Sequence, residues 1–202
     1  MDNYALFYSY RGIGDVLIIV FDNNLLATKK VVKDNIVVIY HNEQIIGYNI
    51  FDIKNIIKIK SEGLIFYPRG QFLQIINSIL ANASLPILKE KENSGYFIGE
   101  VTDVIPLNEE KSFVSLMSEF DYISTIVKDS SLKAGDKVAY AKVGTYLNNG
   151  EIVKEGNMDG TLLNGHICTN HELGIKDNEE KILVLDNDAK VGDDFFSMEE
   201  NL

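Results

Sequence analysis

Residues 141–175, AKVGTYLNNGEIVKEGNMDGTLLNGHICTNHELGI, hold six glycines (Gly144, Gly150, Gly156, Gly160, Gly165 and Gly174) between short apolar pieces. Glycine at this density marks tight turns or close approaches of one backbone to another. The pieces between the glycines are too short for helices and rich enough in branched residues for strands. The stretch ends in Thr169-Asn170-His171-Glu172, the spacing of a helix capping box. Together these features predict the closing half of a small β barrel, because closure removes the sheet edges that short strands would leave exposed.

The rest of the second half agrees. Strands are expected at Gly95 to Ile105, Ser112 to Glu119, Tyr122 to Lys128, Lys137 to Val143, Glu151 to Lys154 and Lys181 to Leu185, with a hairpin-like junction at Phe120-Asp121. In the first half, Tyr4 to Tyr10, Val16 to Phe21, Ile36 to Tyr40 and Ile45 to Phe51 read as strands. Turns are expected at Gly12-Ile13-Gly14-Asp15, Asp22-Asn23-Asn24 and Asn42-Glu43. Phe72, Ile75, Ile76 and Ile79 recur at helical spacing, so one amphipathic helix is expected over Gln71 to Leu80, bounded by Pro68 and Pro86. The charged, then small, run Lys89 to Gly95 is the best linker candidate. The expected architecture is β-rich α+β: a small α+β domain over 1–92, then a five-stranded barrel domain over 93–202.

Charge divides along the same boundary. Residues 1–92 carry 10 Lys+Arg against 9 Asp+Glu, and residues 93–202 carry 9 Lys against 21 Asp+Glu, giving +1 and −12. Such asymmetry bears on partners rather than on fold. No apolar run reaches the length of a membrane span, and the N-terminal residues lack the pattern of a secretory signal. With Cys168 the single cysteine, no disulfide can form within the chain, and a reducing cytoplasm is expected.

Chemical motifs are sparse. Nucleophile-elbow, Walker and zincin patterns are missing, and Arg11-Gly12-Ile13-Gly14-Asp15 has too few glycines for a dinucleotide fingerprint. His166-x-Cys168-x-x-His171 has no second ligand cluster, so a structural role is expected rather than zinc. The acidic stretches lack the spacing of a calcium loop. The reading is of a protein with no catalytic residues, no metal and no cofactor.

The second half resembles the tRNA-binding OB domain of the phenylalanyl-tRNA synthetase beta chain. The residues that carry this are Phe97-Ile98-Gly99-Glu100-Val101, Ile126-Val127, Gly135-Asp136-Lys137-Val138, Ala141-Lys142-Val143-Gly144, the Gly150/Val153/Lys154 element, and Gly160, Gly165, Ile167, Cys168, Glu172, Leu173 and Gly174. Phe7-Tyr8-x-x-x-Gly12-x-Gly14-Asp15 and Gly47-Tyr48-Asn49-Ile50-Phe51 extend the likeness to the stand-alone bacterial tRNA-binding-domain proteins of the YtpR-like type. The resemblance implies a bacterial, cytoplasmic, non-catalytic tRNA-binding protein, with no membrane and with a homodimer as one expectation. It puts RNA contacts at Lys142, Lys154, Asn164, His166 and Thr169.

Several positions depart from the family pattern. The histidine of H-P-N-A-D-K-L is missing from Ile105 to Phe113, C-G-A-P-N is replaced by Lys128-Asp129-Ser130-Ser131-Leu132, and Asp159, Leu163 and His166 stand where arginine, serine and methionine are usual. RNA binding by an OB fold needs cations for phosphates and aromatics for bases, for which Tyr122, Tyr140 and Tyr146 are available. The departures and the −12 charge predict weak binding; the alternative is a barrel that has become a protein-interaction or scaffold module.

Overall fold

The computed structural model describes residues 3–119, 121–128, 131–175 and 180–197. The chain divides into two compact units, one running to Glu92 and the other beginning at Asn93.

The first unit contains β1 (Ala5–Tyr8), the one-turn helix α1 (Tyr10–Ile13), β2 (Val16–Val20), β3 (Lys29–Lys33), β4 (Ile36–His41), β5 (Gln44–Phe51), β6 (Gly63–Ile65) and helix α2 (Gly70–Asn82). Its six strands form an antiparallel sheet in the order β3-β4-β5-β2-β1-β6. Strand alternation sends Leu6, Leu17, Ile19, Ile36, Val38, Tyr48 and Ile50 to one face, where they pack with Phe72, Leu73, Ile76 and Leu80 of α2. Each such side chain, fully buried, contributes about 1.5–3 kcal/mol relative to an exposed one.

The four strands and the long helix expected here are present. Two strands were not legible: β3 carries lysines at 29, 30 and 33 that break the apolar pattern, and β6 spans only Gly63–Ile65. The first half of the turn expected at 12–15 belongs to α1, which Ser9 caps by accepting the Gly12 amide at 3.2 Å. The linker expectation needs correction over 89–92. There the Tyr4 hydroxyl donates to the Lys89 carbonyl at 2.8 Å, the Tyr67 hydroxyl to the Glu92 carbonyl at 3.0 Å, and Glu90 Oε1 accepts the Gly70 amide at 3.1 Å. The charged side chains leave these backbone carbonyls free to serve phenols of the first unit.

The second unit contains β7 (Tyr96–Pro106), β8 (Ser112–Met117), β9 (Tyr122–Val127), β10 (Lys137–Lys142), β11 (Gly156–Met158), β12 (Thr161–Leu163), β13 (Gly165–Ile167) and β14 (Val184–Leu185). The main sheet runs β13-β10-β7-β8-β9, with β14 also on β10. Val101, Val114, Leu116, Ile123, Val127, Val138, Tyr140 and Ile167 meet on its inner side. The ladder is open: among the described residues no strand pairing joins β13 to β9. One residue bridges the two ends instead. Asn164, just ahead of β13, donates its amide to the Ser124 carbonyl at 3.1 Å, and its Oδ1 accepts the Ser124 amide at 2.8 Å.

The expected strand at 151–154 is reduced to a bridge between Tyr146 and Ile152, and that at 181–185 to a Thr169–Ile182 bridge plus β14. The first sits in a loop bonded to the loop after β10, and the second is bonded to the 169–170 turn and to β10. At the Phe120-Asp121 junction, Phe120 lies outside the described residues; Ser118 donates to the Asp121 carbonyl at 2.9 Å. A C-terminal strap, 192–197, runs along β7, with Ile98 donating to Asp193 and Phe195 to Tyr96.

Candidate nucleic-acid interface

The glycine-rich window resolves into three local devices. The first is the β11–β12 hairpin. Asp159 and Gly160 occupy its two-residue turn with φ of 51° and 87°. This is the left-handed pair that a type I′ hairpin requires, and Asp-Gly supplies it at low cost. Asp159 thus fits its turn on conformational grounds. The second device is Gly165, where a Cβ would come 2.5 Å from Ile123 Cγ2, so only glycine lets β13 approach β9.

The third is a polar knot after β13. His166 Nε2 lies 2.9 Å and 3.0 Å from the two Glu172 oxygens. The Thr169 amide and hydroxyl donate to Glu172 Oε2 at 2.8 Å and 3.1 Å, and the Glu172 amide reaches Thr169 Oγ1 at 3.4 Å. The reciprocal bonds of a capping box are therefore made, but a single turn through Gly174 follows in place of the helix expected there. Cys168 is fully buried beside this knot, and burial pushes its thiol well above its ordinary range. Among the described residues no group of three or more His, Cys, Asp or Glu side chains is arranged to hold a metal.

Burial alone would raise the Glu172 carboxyl. The hydrogen bond and charge of His166, followed by the bonds from Thr169, outweigh it, and the pKa lies below its usual 4.5. A carboxyl lowered by folding adds stability that is complete above the unfolded value and is lost as pH falls through the folded one. Glu172→Gln is therefore expected to cost stability at pH 6–7 and progressively less as pH falls below about 4.3. Urea denaturation of both proteins between pH 7 and pH 3 measures this; a gap that stays constant with pH would refute it.

The five residues anticipated as RNA contacts fall into two groups. Asn164, His166 and Thr169 are bonded within the protein: besides its bonds to Ser124, Asn164 donates from Nδ2 to the Tyr122 carbonyl at 3.0 Å. Lys142 ends β10 and Lys154 follows Val153, whose carbonyl accepts the Gly144 amide at 2.8 Å as the chain returns toward the end of β10. Lys142 Nζ sits 4.3 Å from the Phe97 ring centre and 3.6 Å from Asp121 Oδ2. Both charges of that pair are well exposed, so it is worth well under about 1 kcal/mol. Lys154 is exposed.

Of the three tyrosines considered for stacking, Tyr140 and Tyr146 are buried and Tyr122 is 73% exposed. Tyr122 points outward from β9, opposite Met117 of β8. On the same outer face Phe113 lies between Ile105 and Ile126. One step beyond the Ser112–Val127 pair the two strands deliver Lys111 and Lys128, both exposed. Among the described residues neither ammonium has an ion-pair partner. Like charges brought together across strands destabilise a sheet slightly, which makes a bound anion a natural complement. The two lysines are far apart in the sequence, and only the register of β8 and β9 brings them together.

A domain of unknown function, DUF4479, matches residues 26–86, inside the first unit. YtpR of Bacillus subtilis (strain 168), named as a candidate tRNA-binding protein, is 28% identical over 199 residues, covering 94% of this chain and 98% of that protein. This chain is a homologue of YtpR. Part of the chain is also like the phenylalanine–tRNA ligase beta subunit. The enzyme of Idiomarina loihiensis is 34% identical over 79 residues, which are 39% of this chain and 10% of that subunit. That of Dehalococcoides mccartyi (strain ATCC BAA-2266) is 40% identical over 65 residues, 30% of this chain and 8% of that subunit. Against the ligase subunits the likeness is thus to a small part, whereas YtpR is matched end to end. No helix among the described residues is long and apolar enough to cross a membrane.

Proposed function

We propose that this YtpR homologue is a non-catalytic, cytoplasmic tRNA-binding protein whose units at 1–92 and 93–202 are separate domains, the second a five-stranded OB barrel. The observation that carries the reading is the strand order β13-β10-β7-β8-β9 with its ends bridged by Asn164, joined to a whole-length likeness to YtpR. Numbered from β7 as the first strand, this order is 5-4-1-2-3, the arrangement of a Greek-key barrel that binds oligonucleotides on its strand 2–3 face. In this chain that face is the outer side of β8 and β9, where Phe113, Tyr122, Lys111 and Lys128 lie.

On this reading Tyr122 and Phe113 stack on bases, while Lys111 and Lys128 meet phosphates with help from Lys142 and Lys154. Asn164, His166 and Thr169 hold the strand ends that present these groups. The acids around them, including Asp103, Glu109, Glu110 and Asp121, keep the affinity low.

A salt titration of tRNA binding tests this. Two to four phosphate contacts predict a log–log slope of about −1.4 to −3.6, against the much steeper slopes of strongly basic binders. Dissociation constants of about 10⁻⁵ M are expected at about 50 mM salt, in the range of sequence-independent binding. No binding under those conditions would overturn the proposal and leave the protein-interaction reading.

A further inference from the structure

The outer face of β8 and β9 carries an acid where a surface for phosphates should have none. Its side chains fall in rows across β7, β8 and β9. One end row holds Met117 and Tyr122, beside Glu100. The other holds Phe113 between Ile105 and Ile126, just short of Lys111 and Lys128. Between these apolar rows lies a polar one, Asp103–Ser115–Ser124. A β-bulge puts Asp103 there. The β7–β8 register shifts between Val101 and Asp103, and the Thr102 hydroxyl donates to the Ser115 carbonyl at 3.1 Å. With regular pairing Thr102 would face Ser115 and Asp103 would turn to the buried side; the extra residue re-aims the carboxylate outward.

Asp103 is exposed, and among the described residues neither its carboxylate nor the Ser115 and Ser124 hydroxyls have a hydrogen-bond or ion-pair partner. Glu100, by contrast, stands opposite Lys137. An unpaired carboxylate repels phosphate, so on an RNA face it lowers affinity; a group of that kind is kept where it discriminates between ligands. The rows are two residues apart, about 6.5–7 Å, and the three together span about 13 Å. An unstacked strand can lay one base on Tyr122, one on Phe113 and one between them over the polar row. An ionised carboxylate only accepts hydrogen bonds. On its pairing edge guanine turns two adjacent donors, N1–H and N2–H, toward such a group. Adenine, cytosine and uracil each offer a single donor there, next to acceptors that a carboxylate repels. A serine hydroxyl beside Asp103 can donate to guanine O6.

We propose, resting on the RNA-binding reading of this face, that it takes a single-stranded RNA segment of about three nucleotides and that Asp103, with the serines beside it, reads the central base as guanine. Fluorescence anisotropy of the full chain with labelled uridine oligomers of about seven nucleotides tests this at about 50 mM salt, with tRNA measured alongside. An oligomer with one central guanine should bind about fivefold or more tighter than the all-uridine one. Inosine in place of that guanine lacks the N2 donors and should lose most of the gain, a result that needs no protein variant. Asp103→Ala should abolish the guanine preference and, by removing a repulsive charge, strengthen binding of the all-uridine oligomer. A carboxylate that merely repels phosphate would, once removed, strengthen both oligomers alike. That outcome overturns the guanine reading, as does a parent protein that binds tRNA but binds the guanine oligomer no tighter than the uridine one; in both cases RNA binding itself stands. If neither tRNA nor any oligomer binds, the RNA-binding reading falls and the guanine reading with it.

Discussion

Asp194→Ala is expected to remove about 3 kcal/mol or more from the stability of the second unit, because each hydrogen bond to a charged group is worth about 1.5–3 kcal/mol. The Asp194 carboxylate accepts both the amide and the hydroxyl of Ser94 at 2.6 Å and the Phe196 amide at 2.9 Å. Ser94 is 4% exposed, so losing the acceptor leaves its amide unpaired away from water and its hydroxyl with only the longer bond to the Tyr96 carbonyl at 3.3 Å. The same carboxylate anchors the strap, whose Phe196 ring packs edge-on against buried Tyr96 at 5.1 Å. Freed of Asp194, the strap loses its registration on β7, and the aromatic contacts follow. Chemical denaturation followed by tyrosine fluorescence measures the loss, with the exposed Asp188→Ala as a control expected within about 0.5 kcal/mol of the parent. A loss below about 1 kcal/mol for Asp194→Ala would show that the strap is held by its backbone bonds and rings alone.

The strap also marks a limit of the sequence. Asp194 lies in an acidic tail and reads as a solvated charge; its partner is 100 residues away, and no local pattern links them. What was legible rests on short-range physics: the branched and aromatic runs of β1, β2, β4 and β5, the 3.6-residue spacing of α2, and the Thr169–Glu172 box. β3 was hidden because an edge strand carries lysines where a central strand carries valines. The β13–β9 connection was hidden because it depends on one asparagine and on a glycine whose need arises from Ile123, over 40 residues earlier.

The candidate site follows the same rule. The polar residues Asn164, His166 and Thr169 were conspicuous in the glycine-rich window, yet their side chains are engaged in holding it together. Lys111 and Lys128 look unremarkable in the sequence because nothing but the β8–β9 register brings them side by side. The resemblance marked out the strands, and the register of those strands brings out a further exposed face that it did not name.

Tyr122→Ala is expected to weaken tRNA binding by about fivefold to over a hundredfold, the equivalent of about 1–3 kcal/mol for a lost base stack. The ring is 73% exposed and belongs to neither core, so folding stability should stay within about 0.5 kcal/mol of the parent. Its backbone, by contrast, is fixed by the ladder to Met117 and by the Asn164 amide, which gives the ring a defined base to project from. Tyr122→Phe should bind like the parent, because stacking uses the π face and not the hydroxyl. The salt slope should not change in either variant, since no cation is lost, whereas Lys111→Ala with Lys128→Ala should reduce its magnitude by about 1.4–1.8. This contrast separates stacking from phosphate contact on one face. If Tyr122→Ala binds tRNA as tightly as the parent while both remain folded, the outer side of β8 and β9 is not the RNA surface.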